Sequence, residues 1–155
     1  MTLRERQAAL VQALLWPLAY LAMTAAAQRA CTALGGGLPP VILMGLVGPV
    51  GEELTYRALS WKTARDAFGG YGAALLTSAL FAAAHPAMPL PALVAGLCFA
   101  MLRMHRGIVP AIAAHAALNL YSFLPAAWQA HPAVTLLAMG AVTGMLACQS
   151  ISETE

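Results

Sequence analysis

Long apolar stretches, separated by short groups of glycine, proline and charged residues, make up most of this chain. Several of these stretches approach the roughly 20 residues that a membrane-spanning helix needs. Gly69-Gly70 and the run from Pro86 to Pro91 interrupt the pattern, as helix-breaking residues do. The pattern predicts six helices, which cover about residues 8–28, the stretch from Pro40 to about 67, 71–85, 90–102, 108–124 and 134–149.

The composition is that of a membrane protein. Hydrophobic residues make up 61% of the 155 residues, charged residues make up 9%, and the mean hydropathy is +0.73. A soluble domain has about 25% charged residues. We therefore predict an all-α fold, a polytopic membrane helical bundle in one domain over residues 1–155, with about six transmembrane helices around a central polar cavity. The net charge of +2 is too small to indicate binding of nucleic acid.

The distribution of basic residues predicts how the chain crosses the membrane. Six spans place both termini on one side, and the opposite side then carries only Arg29 among the basic residues. The first apolar run is longer than the roughly 7–15 residues of a signal-peptide core, so we expect the first helix to be retained. An excess of Lys and Arg marks the cytoplasmic side, which predicts cytoplasmic termini. The residues that share the side of the termini are Arg4, Arg6, Lys62, Arg65, Arg103 and Arg106.

Two adjacent glutamates, Glu52 and Glu53, stand out within the apolar part of the chain. An ionisable side chain at membrane depth costs several kcal/mol even on the lenient insertion scales (about 2.5–3.5), so such a group is a functional-site candidate by default. Arg57 follows Glu53 by one helical turn, where it can pair with the carboxylate.

Two further pairs have the same four-residue spacing, namely Phe81 with His85 and His115 with Asn119. Residues four apart lie on one face of a helix, so each pair presents one polar patch. The helical rise of about 1.5 Å per residue lets Glu52, His85 and His115 reach similar depths in the bilayer. The sequence therefore predicts one polar site built from three helices, with a cavity beside His85, where irregular backbone must be buried or hydrated.

These three motifs, in this order and followed by Pro86 after the first histidine, resemble those of the CPBP (CAAX protease and bacteriocin-processing) family, also called Abi. The resemblance covers about residues 47–124, and the predicted helices 8–28 and 134–149 flank it. It implies an intramembrane endopeptidase of the glutamic type, without a cofactor. In that family's scheme Glu52 and His85 activate water, His115 and Asn119 stabilise the oxyanion, and Arg57 pairs with Glu53.

The resemblance also implies a partner and a location. The substrate would be a membrane-anchored protein or peptide, and the enzyme would lie in the inner membrane of a bacterium, because the Ala, Leu and Gly content resembles that of small bacterial members. These members are associated with peptide maturation, bacteriocin immunity and the processing of C-terminal sorting tails. We prefer the last role to cleavage of a prenylated CAAX protein.

Three other interpretations stay open. Two histidines and a glutamate are a familiar catalytic zinc set, although the His-Glu-x-x-His signature is absent. The same residues could relay protons in a membrane transporter, although no repeat of the transporter kind is visible. A non-catalytic immunity protein is the third interpretation. Cys31, Cys98 and Cys148 have neither zinc nor disulfide spacing and are interpreted as packing residues.

Overall fold

A computed structural model describes residues 1–33 and 39–130, and every element in these ranges is helical. This confirms the predicted all-α class for the described residues. The helix predicted at 134–149 lies outside them. The elements are α1 (Leu3–Ala33), α2 (residues 40–68), α3 (residues 70–83), α4 (Pro89–Arg106), α5 (Ile108–Ser122) and α6 (Ala126–Gln129).

The first helix begins earlier than predicted, at Leu3 rather than near Ala8. Its start is fixed by a reciprocal cap, in which the Thr2 N–H donates to Glu5 Oε2 at 2.7 Å and the Glu5 N–H donates to Thr2 Oγ1 at 3.2 Å. A Thr-x-x-Glu cap of this kind satisfies two N–H groups that a helix start otherwise leaves unpaired. The hydropathy pattern did not include this polar signal, and for that reason the predicted boundary was wrong.

The second helix is continuous, but two of its segments are wound more widely than an α-helix. The segments Leu43–Val47 and Leu54–Ser60 are π-helical, and the α-helical turn Gly48–Glu53 lies between them. The backbone keeps right-handed helical φ and ψ angles at each transition, so the axis does not break. Single wide turns of this type are rare and occur often at functional sites. Here they flank the two glutamates.

Gly69 divides the helical stretch Trp61–Ala83 into the end of α2 and the whole of α3, because its φ of 74° and ψ of 178° are not helical. An L-residue with a side chain rarely adopts that φ, whereas glycine does so readily. The predicted break at Gly69-Gly70 is therefore confirmed. After the break, Ala73 and Ala74 pack with Trp61, Ala64 and Ala100 in a buried cluster.

The fourth helix is longer than the predicted span 90–102. It begins at Pro89, where a proline in the first turn removes no hydrogen bond from the helix. It ends at Arg106, because Gly107 has a φ of 90° and closes the helix. His105 lies in the last turn of α4 together with Arg103 and Arg106.

The first helix runs antiparallel to α2. Ser60 Oγ donates to the Ala13 carbonyl at 3.0 Å, whereas the later residue Tyr20 donates to the carbonyl of the earlier residue Gly48 at 3.4 Å. This brings Arg4 and Arg6 to the end of α2 that carries Lys62 and Arg65. The end of α4 lies there too, because Arg103 Nε donates to the Arg57 carbonyl at 2.8 Å. Six basic residues thus share one end of the bundle.

Among the described residues, one helix is long and apolar enough to cross a bilayer, the stretch Leu3–Ala30 of α1, in which an 18-residue window has a mean hydropathy of 1.5. The helix Ile108–Ser122 is apolar but shorter. The six-span topology and the cytoplasmic position of the termini stay predictions.

Candidate active site

The two glutamates differ in their surroundings although they are neighbours on α2. The Glu53 side chain is fully buried, and the Glu52 side chain keeps 20% of its surface exposed. Close packing by α1 shapes this turn, because a Cβ on Gly51 would lie 2.7 Å from Tyr20 Cε2. Glycine at position 51 is therefore what allows Tyr20 to lie against the backbone beside Glu52.

Glu53 connects two other predicted site residues. Its Oε1 accepts a hydrogen bond from His115 Nδ1 at 2.9 Å, and its Oε2 lies 3.7 Å from Arg57 Nε. The Arg57 side chain is also fully buried, and its Nη2 donates to the Gly96 carbonyl on α4 at 2.8 Å. Glu53 therefore fixes the orientation of the His115 ring, and Arg57 supplies the opposite charge that a buried carboxylate requires.

Both histidines direct the same ring nitrogen toward Glu52. His85 Nδ1 lies 2.8 Å from the Phe81 carbonyl and must donate to it, since a carbonyl only accepts. With both Nδ1 atoms occupied as donors, the two Nε2 atoms lie 3.8 Å (His85) and 3.7 Å (His115) from Glu52 Oε2. These distances are too long for hydrogen bonds, and a water molecule that contacted Oε2 and a ring nitrogen would lie to one side of the line between the two atoms. Glu52 Oε2 is buried and has no hydrogen-bond partner among the described residues.

Aromatic rings enclose the histidines. Phe99 stacks on His115 with ring centres 4.6 Å apart, and Phe81 meets the same ring edge-on at 5.5 Å. Phe81 also contacts His85, with centres 4.4 Å apart, and lies 5.1 Å from the Arg57 guanidinium carbon. The rings leave the imidazoles little freedom to turn, and they exclude water from the Glu53 side of the site.

Asn119 lies one turn beyond His115 on α5, as predicted, but it is tied to the backbone of α2. Its Nδ2 donates to the Met44 carbonyl at 2.8 Å. The structure thus links five of the six predicted residues by direct contacts, namely Glu52, Glu53, Arg57, His85 and His115. It anchors the sixth, Asn119, to the π-helical segment that precedes them.

Sequence reasoning missed four residues that shape the site, Tyr20, Tyr56, Gly96 and Phe99. A Cβ on Gly96 would lie 3.1 Å from Arg57 Nη2, so the absence of a side chain there makes room for the guanidinium. Tyr56 follows Glu52 by four residues, and its buried hydroxyl has no hydrogen-bond partner among the described residues. That spacing was a usable signal for Tyr56, whereas nothing in the local sequence distinguished Phe99 or Gly96.

His85, His115 and Glu52 are the residues that would hold a metal ion, because their free nitrogen and oxygen atoms are donors that zinc accepts. In residues 1–33 and 39–130, however, no group of three or more His, Cys, Asp and Glu side chains is arranged to hold one. The expectation of a site without metal stays a prediction.

Comparison with known proteins identifies the family. The model of the type II CAAX prenyl endopeptidase Rce1-like family matches residues 33–121, more than half of the chain, and the match includes all six predicted site residues. No curated protein and no solved structure matches the chain. The resemblance to CAAX proteases is confirmed, and the chain belongs to the type II CAAX prenyl endopeptidase Rce1-like family, a family of membrane-embedded proteases.

Proposed function

We propose that this protein is an intramembrane endopeptidase of the glutamic type, which cleaves a peptide bond in a membrane-anchored protein or peptide. The observation that carries the proposal is the convergence of Glu52 Oε2 with the Nε2 atoms of His85 and His115, at 3.8 and 3.7 Å. A carboxylate that has no hydrogen-bond partner among the described residues and lies close to two ring nitrogens is suited to general-base chemistry on a water molecule bound at the same site.

In the proposed reaction, a water molecule lies between Glu52 and His85, and Glu52 takes its proton as the oxygen attacks the scissile carbonyl carbon. The carbonyl becomes a tetrahedral oxyanion, which accepts hydrogen bonds from His115 and Asn119. The C–N bond then breaks, and Glu52 returns the proton to the departing amine. The products are a carboxylate terminus and an amine terminus, and no co-reactant other than water is consumed.

The charge arrangement supports the role given to His115. Because His115 Nδ1 donates to Glu53, its Nε2 can donate to an oxyanion only when both ring nitrogens carry protons. In the proposed reaction the Glu53 carboxylate accepts from Nδ1 and the Phe99 ring stacks on the imidazole, and both contacts suit a ring that donates from both of its nitrogens.

The position of Glu52 along α2 supports a substrate bond within the bilayer. Lys62 at the basic end follows it by ten positions, which corresponds to at most about 15 Å, since the wider π-helical turns rise less per residue than an α-helix. That distance is half of the roughly 30 Å hydrocarbon core. We propose that the substrate is a bacterial protein or peptide with a membrane-embedded segment, such as a C-terminal sorting tail, and that a prenylated CAAX protein is the alternative.

The proposal is tested by cleavage of membrane-anchored candidate substrates by purified protein in lipid nanodiscs, with Asp66→Asn as the matched control. Asp66 is an exposed carboxylate on the same helix. Glu52→Gln preserves the shape of the side chain but removes the base, so we expect no detectable cleavage, whereas Asp66→Asn keeps full activity. Near-normal cleavage by Glu52→Gln would contradict the mechanism. Proton uptake dependent on Glu52, without any cleavage, would favour the transporter interpretation.

A zinc protease is the second candidate, because the Nε2 atoms of both histidines lie beside a carboxylate oxygen of Glu52. For the glutamic mechanism we expect substoichiometric zinc in the purified protein and cleavage that chelators leave intact. Metal analysis of unaltered protein and of the His85→Ala and His105→Ala variants distinguishes the two mechanisms. One equivalent of zinc that is lost with His85→Ala and retained with His105→Ala would establish the zinc protease.

A further inference from the structure

Asn119 donates to a carbonyl of α2 that lacks a backbone N–H donor at position 49. In the π-helical segment, the Gly48 N–H donates to the Leu43 carbonyl, five residues earlier. If the same five-residue spacing applied to the next residue, the N–H of residue 49 would donate to the Met44 carbonyl. Residue 49 is proline, which has no N–H. Residue 49 therefore supplies no N–H to the Met44 carbonyl. Asn119 Nδ2 donates to this carbonyl instead, at 2.8 Å.

The packing around this bond holds α5 close to α2. Pro49 is fully buried, and Gly45 is buried against Leu120, the residue after Asn119. A Cβ on Gly45 would lie 2.6 Å from Leu120 Cδ2, so the two helices approach as closely as glycine permits. The Asn119 amide is thus held by its hydrogen bond to a backbone carbonyl that lies 75 residues earlier in the sequence, on a closely packed helix.

An asparagine amide nitrogen has two N–H groups. One of them is used by the Met44 carbonyl, and Nδ2 makes no other hydrogen bond with the described residues. Fixing the first N–H also fixes the direction of the second, because both lie in the plane of one amide. A donor with a fixed direction stabilises an oxyanion better than a donor that must reorganise during the reaction.

We propose that Pro49 is a positioning residue for Asn119. Because it withholds an N–H from the Met44 carbonyl, that carbonyl binds one N–H of Asn119 and leaves the other directed at the substrate oxyanion. The anchoring of Asn119 is argued from the geometry of α2 and does not depend on the proposed function. The effect of the anchoring on cleavage rests on the proposed function.

The anchoring has a direct spectroscopic test, because Asn119 is the only asparagine in the sequence. Labelling with 15N-asparagine therefore gives one side-chain NH2 pair in the NMR spectrum of the full-length protein in nanodiscs. In the unaltered protein we expect two separated proton signals, one of them protected from exchange with solvent. Pro49→Ala supplies the missing N–H to the Met44 carbonyl, so that protection should be lost.

The matched control is Pro17→Ala, which removes another buried proline from a helix interior, in α1. It should leave the Asn119 pair unchanged. Pro49→Gly, which also restores the N–H, provides a second variant should Pro49→Ala not fold. An Asn119 pair that keeps its protection in both Pro49 variants overturns the proposal.

Cleavage rates give the second readout. Asn119→Ala removes an oxyanion donor, an effect typically of about 10²–10³-fold in rate. A misplaced donor loses on the order of 10²-fold, so we expect Pro49→Ala to fall by that factor and to have no further effect in the Asn119→Ala background. Multiplicative losses in the double variant contradict the proposal. Loss of protection in a protein that cleaves no substrate supports the anchor and contradicts the proposed function.

Discussion

Glu53 and Arg57 have a different role from Glu52 because nothing exposes them to a substrate. Both side chains have 0% of their surface exposed, and the carboxylate of Glu53 lies between the guanidinium and the His115 ring. At this depth neither charge can exchange its partner for water. The pair therefore holds the imidazole in place and stabilises the helix packing, while Glu52, the partly exposed neighbour, remains free to react.

We expect Arg57→Ala and Glu53→Gln to lower stability in detergent, because each leaves one buried charge without its partner. Breaking a buried pair in this way costs about 3–5 kcal/mol. Thermal unfolding of the purified variants measures the effect, with Lys62→Ala as the control. Lys62 forms an exposed pair with Asp66 that contributes little. An unchanged melting temperature for Arg57→Ala would show that the buried pair is not structural.

At the scale of single elements, the positions of the glycines and prolines decide where the helices widen, turn and end. The two π-helical segments of α2 change the direction in which Glu52, Glu53 and Arg57 point around the helix axis, relative to the neighbouring helices. Gly69 reverses the chain, so that α3 returns along α2 and brings Phe81 and His85 to the glutamates. A change in either feature would rotate or displace the histidine relative to the carboxylates.

Gly69→Ala tests the reversal. The φ of 74° at this position is unfavourable for a residue with a Cβ, although no atom of the described residues lies within 4 Å of the added Cβ. We expect a loss of about 1–2 kcal/mol from backbone strain alone. The neighbouring Gly70→Ala is the control, since among the described residues the added Cβ would meet the flexible Met104 side chain alone. Equal unfolding temperatures for the two variants would mean that the chain turns in another way.

At the scale of the whole molecule, the grouping of basic residues at one end supports a fixed orientation in the membrane. Arg4, Arg6, Lys62 and Arg65 lie at that end because α1 and α2 are antiparallel, and Arg103 joins them through its bond to the Arg57 carbonyl. An excess of Lys and Arg at one end favours its retention in the cytoplasm. In the predicted orientation Glu52 lies at most about 15 Å from Lys62, which is near the cytoplasmic end of α2.

Reporter fusions test this orientation. A fusion after Gly107, at the end of α4, should report the cytoplasm, and a fusion after Ala130, beyond α6, should report the opposite side. The reason is that α5 separates the two positions and would have to cross the membrane between them. Reports from the same side at both positions would contradict the predicted topology.

The sequence by itself determined the helices and the identity of the polar residues. Hydropathy, glycine and proline are local signals, so α2, α3 and α5 and the break at Gly69 could be predicted from short stretches of the chain. The three motifs could be recognised in the sequence because their members are only four residues apart. The same property explains the error at the start of α1, where a polar cap rather than hydropathy fixes the boundary.

Only the tertiary structure decided which partner each polar residue has. His115 binds Glu53 across 62 residues, Arg57 binds the Gly96 carbonyl across 39, and Asn119 binds the Met44 carbonyl across 75. Such contacts depend on how closely two helices approach and on the phase that the π-helical segments give to α2. Helix phase and approach are set by packing among all the helices, which no local pattern in the sequence encodes.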